Sequence, residues 1–286
     1  MSRDFCFSGL NGGFQFILIS WKNGIDYRIC FQALVGNLRY LKFLFIMSCA
    51  VLFASTCTKD LVGPDPDNNT GTVTDIDGNV YTTVKIGNQV WTVENLRTTK
   101  YNDGSAIPLV TDIFSWANLT TPSYCYYNNT TNADSIKKYG SLYNWYTVDT
   151  KKLAPAGWHV PTDVEWTILE NYLIANRYNW DGTTDSNKIA KSLAAKTDWG
   201  ISTTPGAIGN DLTKNNSSGF SALPCGYRGD NGDFNDFGSG GRWWGATESD
   251  ASCAYPRALL YAYGYLLRYY FVIFKRCGFS VRLVRD

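Results

Sequence analysis

Thr162 to Asn176 reads TDVEWTILENYLIAN, and the reading of this stretch decides the rest. Trp166, Leu169 and Leu173 recur at the spacing of one helical face, so they predict an α-helix with a buried stripe. Thr162 can cap its first turn, and Glu165 stands three residues later, which makes a capping box. On the N-terminal side the pattern changes to alternation and turns. Val73 to Tyr81 reads as strand, Asp77-Gly78 turn, strand, and Val84 to Trp91 holds a second turn signal at Gly87-Asn88. On the C-terminal side a short second helix is expected over Asn187 to Ala195, followed by Gly-rich loop and then strand. The middle of the chain is loop-rich in Asn, Thr, Ser and Tyr. With no repeat and no compositional break after about Val73, residues 73–286 read as one domain.

Composition narrows the function. The chain has 286 residues, with 26 Lys+Arg against 25 Asp+Glu, so its formal net charge is +1. That balance argues against nucleic acid as a partner, since phosphate binding needs a basic surplus. Hydrophobic residues make up 44%, which excludes a wholly disordered chain. His159 is the single histidine, so His-rich zinc sites are excluded and any Ser/His/Asp mechanism has one possible base. The 8 cysteines contain no CxxC, hence no zinc-ribbon or redox motif. Cys125 and Cys225 are one candidate pair, although spacing cannot assign connectivity. No cofactor or metal site is expected.

Leu41 to Phe53 reads LKFLFIMSCAVLF, with Arg39 and Lys42 at its start. A short basic region before a short apolar run has the shape of a secretory signal peptide, and the run is short for a membrane span. The alternative is a buried apolar helix. Phe53-Ala54-Ser55-Thr56-Cys57 resembles the lipobox of bacterial lipoproteins, with Thr56 a departure from the usual small residue. This resemblance implies lipidation at Cys57 and anchorage in the outer membrane or at the cell surface. Residues 38–57 are then the signal peptide. Residues 58–72, rich in Pro, Gly, Asp and Asn, form a tether. The acidic residues after Cys57 are similar to the export signal of surface lipoproteins in Bacteroides-like bacteria. Residues 1–37 fit a start assigned too early.

Pro155-Ala156-Gly157-Trp158-His159-Val160-Pro161-Thr162-Asp163, with Glu165-Trp166, resembles the "PAGWHLPT..EW" signature of the Fibrobacter succinogenes major paralogous domain. Trp243-Trp244-Gly245-Ala246-Thr247-Glu248, the closing run Gly278 to Asp286, and the span Asp75 to Leu96 resemble its other motifs. The family in turn resembles the formylglycine-generating-enzyme branch of C-type-lectin-like folds. The resemblance implies a mixed α+β, C-type-lectin-like domain, with two helices packed on small antiparallel sheets and long loops presenting a surface. Two cysteines frequent in the family are replaced here by Ala154 and Leu283, which implies that the corresponding disulfide is missing.

Ser249 to Cys277 reads SDASCAYPRALLYAYGYLLRYYFVIFKRC and holds six of the 19 tyrosines. A hairpin turning near Gly264 is the local reading, and Arg257 and Arg268 make a membrane helix costly. The family's framework is retained at Ala254, Tyr255, Arg257, Leu259, Tyr261, Arg268 and Lys275. The filling differs from the family's small polar residues. It comprises Ser252, Cys253, Pro256, Ala258, Leu260, Ala262, Tyr263, Tyr265, Leu267, Tyr269, Tyr270, Phe271 and Ile273. A kept frame with altered filling resembles the variable protein of a diversity-generating retroelement, in which adenines of Asn codons are randomised. Such mutagenesis cannot reach Trp, Met, Lys, Gln or Glu. Of these the window holds only Lys275, a framework position. The thirteen filling positions are therefore the candidate ligand-binding residues, with an unknown protein or glycan as partner. Tyrosine suits such a surface because it offers large amphipathic contact at low entropic cost. The alternative is that these residues fill a core.

Chemistry is the competing class. The formylglycine-generating resemblance implies copper held by a close cysteine pair, for which Cys253 and Cys277 are the available candidates, far apart in sequence. His159 reads as a structural residue of the GWH turn, and Glu165 as a capping partner rather than a general base. Asp230, Asn231, Asp233, Asn235 and Asp236 crowd one Gly-rich loop and could supply oxygen ligands to calcium, or simply form a solvated turn. Trp243-Trp244 beside it reads as core. The expectation is a lipid-anchored binding module without catalytic residues, or an envelope adhesion module with no variable site.

Overall fold

Alternating residues in Val80–Ile86 (β2) place Tyr81 and Thr83 inward, and the strand turns back through Gly87-Asn88 into Gln89–Thr92 (β3). A computed structural model describes residues 71–268 and 273–286, all within one structural unit. Thr72–Thr74 (β1) pairs with β2 across the Asp77-Gly78 turn, with Val73 opposite Tyr81. Gly78 has φ +81°, the left-handed conformation that such a turn assigns to glycine. The far end of the chain completes this sheet. Val284–Arg285 (β12) inserts between β3 and Trp158–His159 (β6), with Val284 opposite both Trp91 and His159. The order is β1-β2-β3-β12-β6.

A second five-stranded sheet has the order β11-β10-β9-β7-β8. Its members are Cys225–Arg228 (β7), Phe234–Phe237 (β8), Gly240–Glu248 (β9), Ala254–Leu260 (β10) and Leu267–Arg268 (β11). Its pairs are antiparallel except β7 with β9, which run parallel at Gly226 and Gly241. Tyr124–Cys125 (β4) and Leu142–Tyr143 (β5) form a small ribbon.

Five α-helical segments accompany the sheets among the described residues: Ile113–Ala117 (α1), Ala133–Tyr139 (α2), Trp145–Asp149 (α3), Asp163–Ala175 (α4) and Ala190–Leu193 (α5). The class is α+β, with short helices and curled, mostly antiparallel sheets. α4 is the expected helix. Thr162 accepts from the Glu165 amide, and Glu165 accepts from the Thr162 amide. Trp166, Leu169 and Leu173 are buried in one cluster with Val84, Trp91 and Val284 of the first sheet and Trp243 and Leu259 of the second, so this core joins the two sheets. Each such side chain stabilises the fold by about 1.5–3 kcal/mol.

α5 is shorter than the predicted Asn187–Ala195. Ala194 turns extended and pairs with Ala222, so a tertiary backbone partner ends the helix early. Trp243 and Trp244 are both core residues, 1% and 0% exposed. The Cys125–Cys225 pair is not formed. Both are buried free thiols in different surroundings, Cys125 beside Trp116 and Cys225 against Ser280 Oγ at 3.2 Å. Ala154 and Leu283 lie in one apolar cluster with Tyr81, Trp145, Trp244 and Phe279.

Buried arginines tie the loops to this frame. Arg282 donates to Asn95 Oδ1, Thr92 O and Phe220 O at 2.8–3.0 Å, and burial pushes its pKa down to about 10. Arg228 donates to the carbonyls of Val110, Thr111 and Gly232 at 2.7–2.9 Å. Apart from Thr92 at the end of β3, these carbonyls belong to segments between the strands and helices.

The expected segments 1–37 and 38–57, lipidation residue Cys57, and the tether as far as residue 70 lie outside the described residues. Tyr269, Tyr270 and Phe271 lie outside them too. Among the described residues no helix is long and apolar enough to cross a membrane.

Candidate functional site

β10 and β11 form the expected hairpin, with Ala258 opposite Leu267 and Arg257 opposite Arg268, and the turn spans Tyr261 to Leu266. Its base is tied to α4. Arg257, with no exposed side chain, donates to Asp163 Oδ1 at 2.6 Å. Arg268 reaches both oxygens of the same carboxylate, at 2.9 and 2.7 Å, and lies 4.9 Å over the Tyr255 ring. Burial works to raise the Asp163 carboxyl, but the Arg268 and Arg257 guanidiniums hold it below its ordinary range. Lys275 completes the frame from below, donating to Glu248 and to Ala251 O, 4.7 Å from the Trp145 ring. Ala254 and Leu259 are buried in the two main core clusters.

The tip is pinned by backbone rather than by charge. Ile208 and Gly209 donate to Tyr263 O and Tyr261 O, at 3.1 and 2.8 Å, and Ala190 donates to Gly264 O at 3.2 Å. Asn187 holds Leu266 from both sides, accepting from its amide at 3.0 Å and donating to its carbonyl at 2.8 Å. The same Nδ2 donates to Glu170, whose carboxyl burial pushes up. On this fixed turn Tyr263 and Tyr265 stack at 5.2 Å with 25° between their planes, and they are 42% and 41% exposed.

The thirteen predicted residues therefore separate. Pro256 and Ala258 are buried within the sheet, and Cys253 is buried just before β10 begins. Leu260, Ala262 and Leu267 are half-buried around the tip, and Tyr263 and Tyr265 are exposed there. Ser252, exposed, and Ile273, half-buried, stand at the opposite end of β10, where Cys253 bridges to Phe274. Tyr269, Tyr270 and Phe271 remain outside the described residues.

Sequence reasoning missed Trp180. This residue is 47% exposed and rests on Gly206 and Gly264. A Cβ on Gly206 would come within 2.2 Å of the indole, and Gly206 has φ +78°, so glycine is required there on both counts. Gly264 lies between the two tyrosines in sequence, so Trp180 packs beside the turn that carries them. The available signal was an aromatic residue set inside an Asn179-Trp180-Asp181-Gly182 turn, where no periodic apolar partner gives it a core face.

The remaining candidates are occupied by structure. His159 bridges Asp286 through Nδ1 at 2.6 Å and Glu165 through Nε2 at 2.7 Å. Burial works to lower its pKa, and the Asp286 and Glu165 carboxylates raise it above the ordinary value. Asp230 pairs with Arg276, Asp236 with Arg242, and Asp233 accepts from Asn231. Among the described residues no group of three His, Cys, Asp or Glu side chains could hold a metal ion. Burial raises the thiols of Cys253 and Cys277, the latter to about 12, which disfavours the thiolate that copper needs.

A family model described as the Fibrobacter succinogenes major domain matches residues 84–285. Comparison with curated proteins and with solved structures gives no match.

Proposed function

This chain belongs to the Fibrobacter succinogenes major domain family, and from that premise we propose that it is a cell-envelope binding protein with a C-type-lectin-like scaffold. The anchor is a lipid on Cys57, at the outer membrane or cell surface. The scaffold's role is binding, not catalysis. The ligand surface is the tip of the β10–β11 hairpin together with Trp180. The observation that carries this reading is a stacked, exposed Tyr263–Tyr265 pair on a turn whose carbonyls are fixed by three backbone amides. Pre-organised aromatic rings bind with little ordering cost, which is how hot spots on rigid scaffolds act. The ligand is a protein or glycan at the cell surface.

The surface is hypervariable, with retroelement mutagenesis altering the filling of the hairpin while Arg257, Arg268, Leu259 and Lys275 keep its frame. Supporting this, the four framework side chains are buried or engaged, whereas Tyr263 and Tyr265 are exposed. Sequencing the DNA beside the gene tests it. A near-copy of the segment encoding Ser249 to Asp286, differing at adenines and lying next to a reverse transcriptase, is the expected result. With no such copy the diversification reading fails. A second reading, an adhesion module of fixed sequence, is favoured by one observation: Cys253, Pro256 and Ala258 are buried and cannot meet a ligand.

A further inference from the structure

A second concave surface is built by other elements. The β1–β2 turn, the segment after β3, Tyr126 and α2 border an open cleft of about 440 Å³, within the size range of small-molecule sites. Arg97 is one wall. Its Nε donates to Asn79 Oδ1 at 3.0 Å, its Nη2 to Val80 O at 3.3 Å, and its guanidinium lies 4.8 Å over the Tyr81 ring. A guanidinium stacked and tethered in this way is fixed in position before any ligand arrives. Lys137, from α2, is the second cation lining the cleft, and it forms no ion pair among the described residues.

One carboxylate, Asp77, also lines the cleft, but its charge is already matched. Lys100 Nζ lies 3.1 Å from Oδ1, and the Thr99 amide and hydroxyl donate to Oδ2 at 2.6 and 2.9 Å. Asp75 does not line the cleft, and its carboxylate accepts from the Tyr81 hydroxyl, the Asn79 side chain and two backbone amides. Arg97 and Lys137 are therefore the cations left to meet a ligand. Tyr126 and Ile136 give the cleft an apolar side, while Asp77, Asn79 and Thr99 give it a polar one.

We propose that this cleft binds a small hydroxylated carboxylate, a sugar acid in chemical class, with its carboxylate against Arg97 and Lys137. The ring hydroxyls would meet Asp77 and Asn79, and the apolar ring face Tyr126 and Ile136. This site is independent of the hairpin tip.

Calorimetric titration of the full chain at low salt tests it, with glucuronate, glucose and inorganic phosphate as probes. Glucuronate is expected to bind at least about tenfold more tightly than glucose, the scale of one charge-assisted contact. Lys137→Glu changes an exposed residue, so it should leave the melting temperature unchanged and weaken glucuronate by about tenfold or more. Tyr263→Ser with Tyr265→Ser should leave glucuronate binding intact, which separates this site from the tip. Equal affinity for glucose, binding of phosphate alone, or unchanged affinity in Lys137→Glu would overturn the proposal.

Discussion

At the base of the hairpin, Arg257 has no exposed side chain and Ala258 and Leu259 are closed in, whereas Tyr263 and Tyr265 at the tip are 42% and 41% exposed. The base is held by side chains that converge on one carboxylate, and the tip by hydrogen bonds to its main chain, from three amides and the Asn187 side chain. The difference separates what can change from what cannot. A side chain at the base is part of its own anchorage, so replacing it removes a contact that the fold uses. A side chain at the tip takes no part in the amide-to-carbonyl bonds that fix the turn, so it can be replaced without unpinning the backbone. The hairpin thus combines a fixed frame with exposed aromatic groups.

The comparison breaks most readily at Asp163. Asp163→Asn strips the charge shared by two guanidiniums, one of them fully buried, and should cost about 3–5 kcal/mol of stability. Chemical denaturation measures this, and a loss under about 1 kcal/mol would mean the base is not held as described.

Trp180→Ala should act in the opposite sense. Ligand attachment should fall by about 2 kcal/mol, the scale of an interface hot spot, while the unfolding midpoint hardly moves. A smaller effect on stability is expected at Gly206→Ala, about 1–2 kcal/mol for a left-handed backbone carrying a Cβ. That substitution must also displace the indole, so tryptophan fluorescence should shift to that of a more solvated ring.

The smallest effect concerns pH. His159 has a folded pKa raised above its unfolded value of about 6.5, so its contribution is fully present below that pH and is lost as pH rises through the raised value. The His159→Gln variant should show a flatter melting temperature against pH across this window, with both hairpin ends unaffected.

The elements legible in the sequence are those whose signals are local. Thr162 and Glu165 announce the start of α4, and Asp77-Gly78 and Gly87-Asn88 announce the first two hairpins, because each requirement is met within a few residues. α5 was overextended since its end is set by Ala222, far along the chain. The parallel pairing of β7 with β9 and the shared Asp163 clamp likewise depend on distant partners. At the site, the hairpin and its turn near Gly264 were legible from the glycine between tyrosines. Burial of Pro256 and Ala258 was not, because β10 is covered on both faces and alternation no longer distinguishes inside from outside, and burial of Cys253 goes with a bridge to Phe274, farther along the chain. Trp180 escaped for the opposite reason: its setting depends on Gly206, which is distant in sequence.

The most direct test of the division between frame and tip is the double variant Tyr263→Ser with Tyr265→Ser. Thermal unfolding would be measured beside adhesion of cells displaying the protein to glycan- and protein-coated surfaces. The account predicts an unfolding midpoint close to that of the parent chain together with lost adhesion. A collapsed midpoint would contradict it by placing the two tyrosines in the core, and intact folding with intact adhesion would contradict it by removing the tip from the ligand surface.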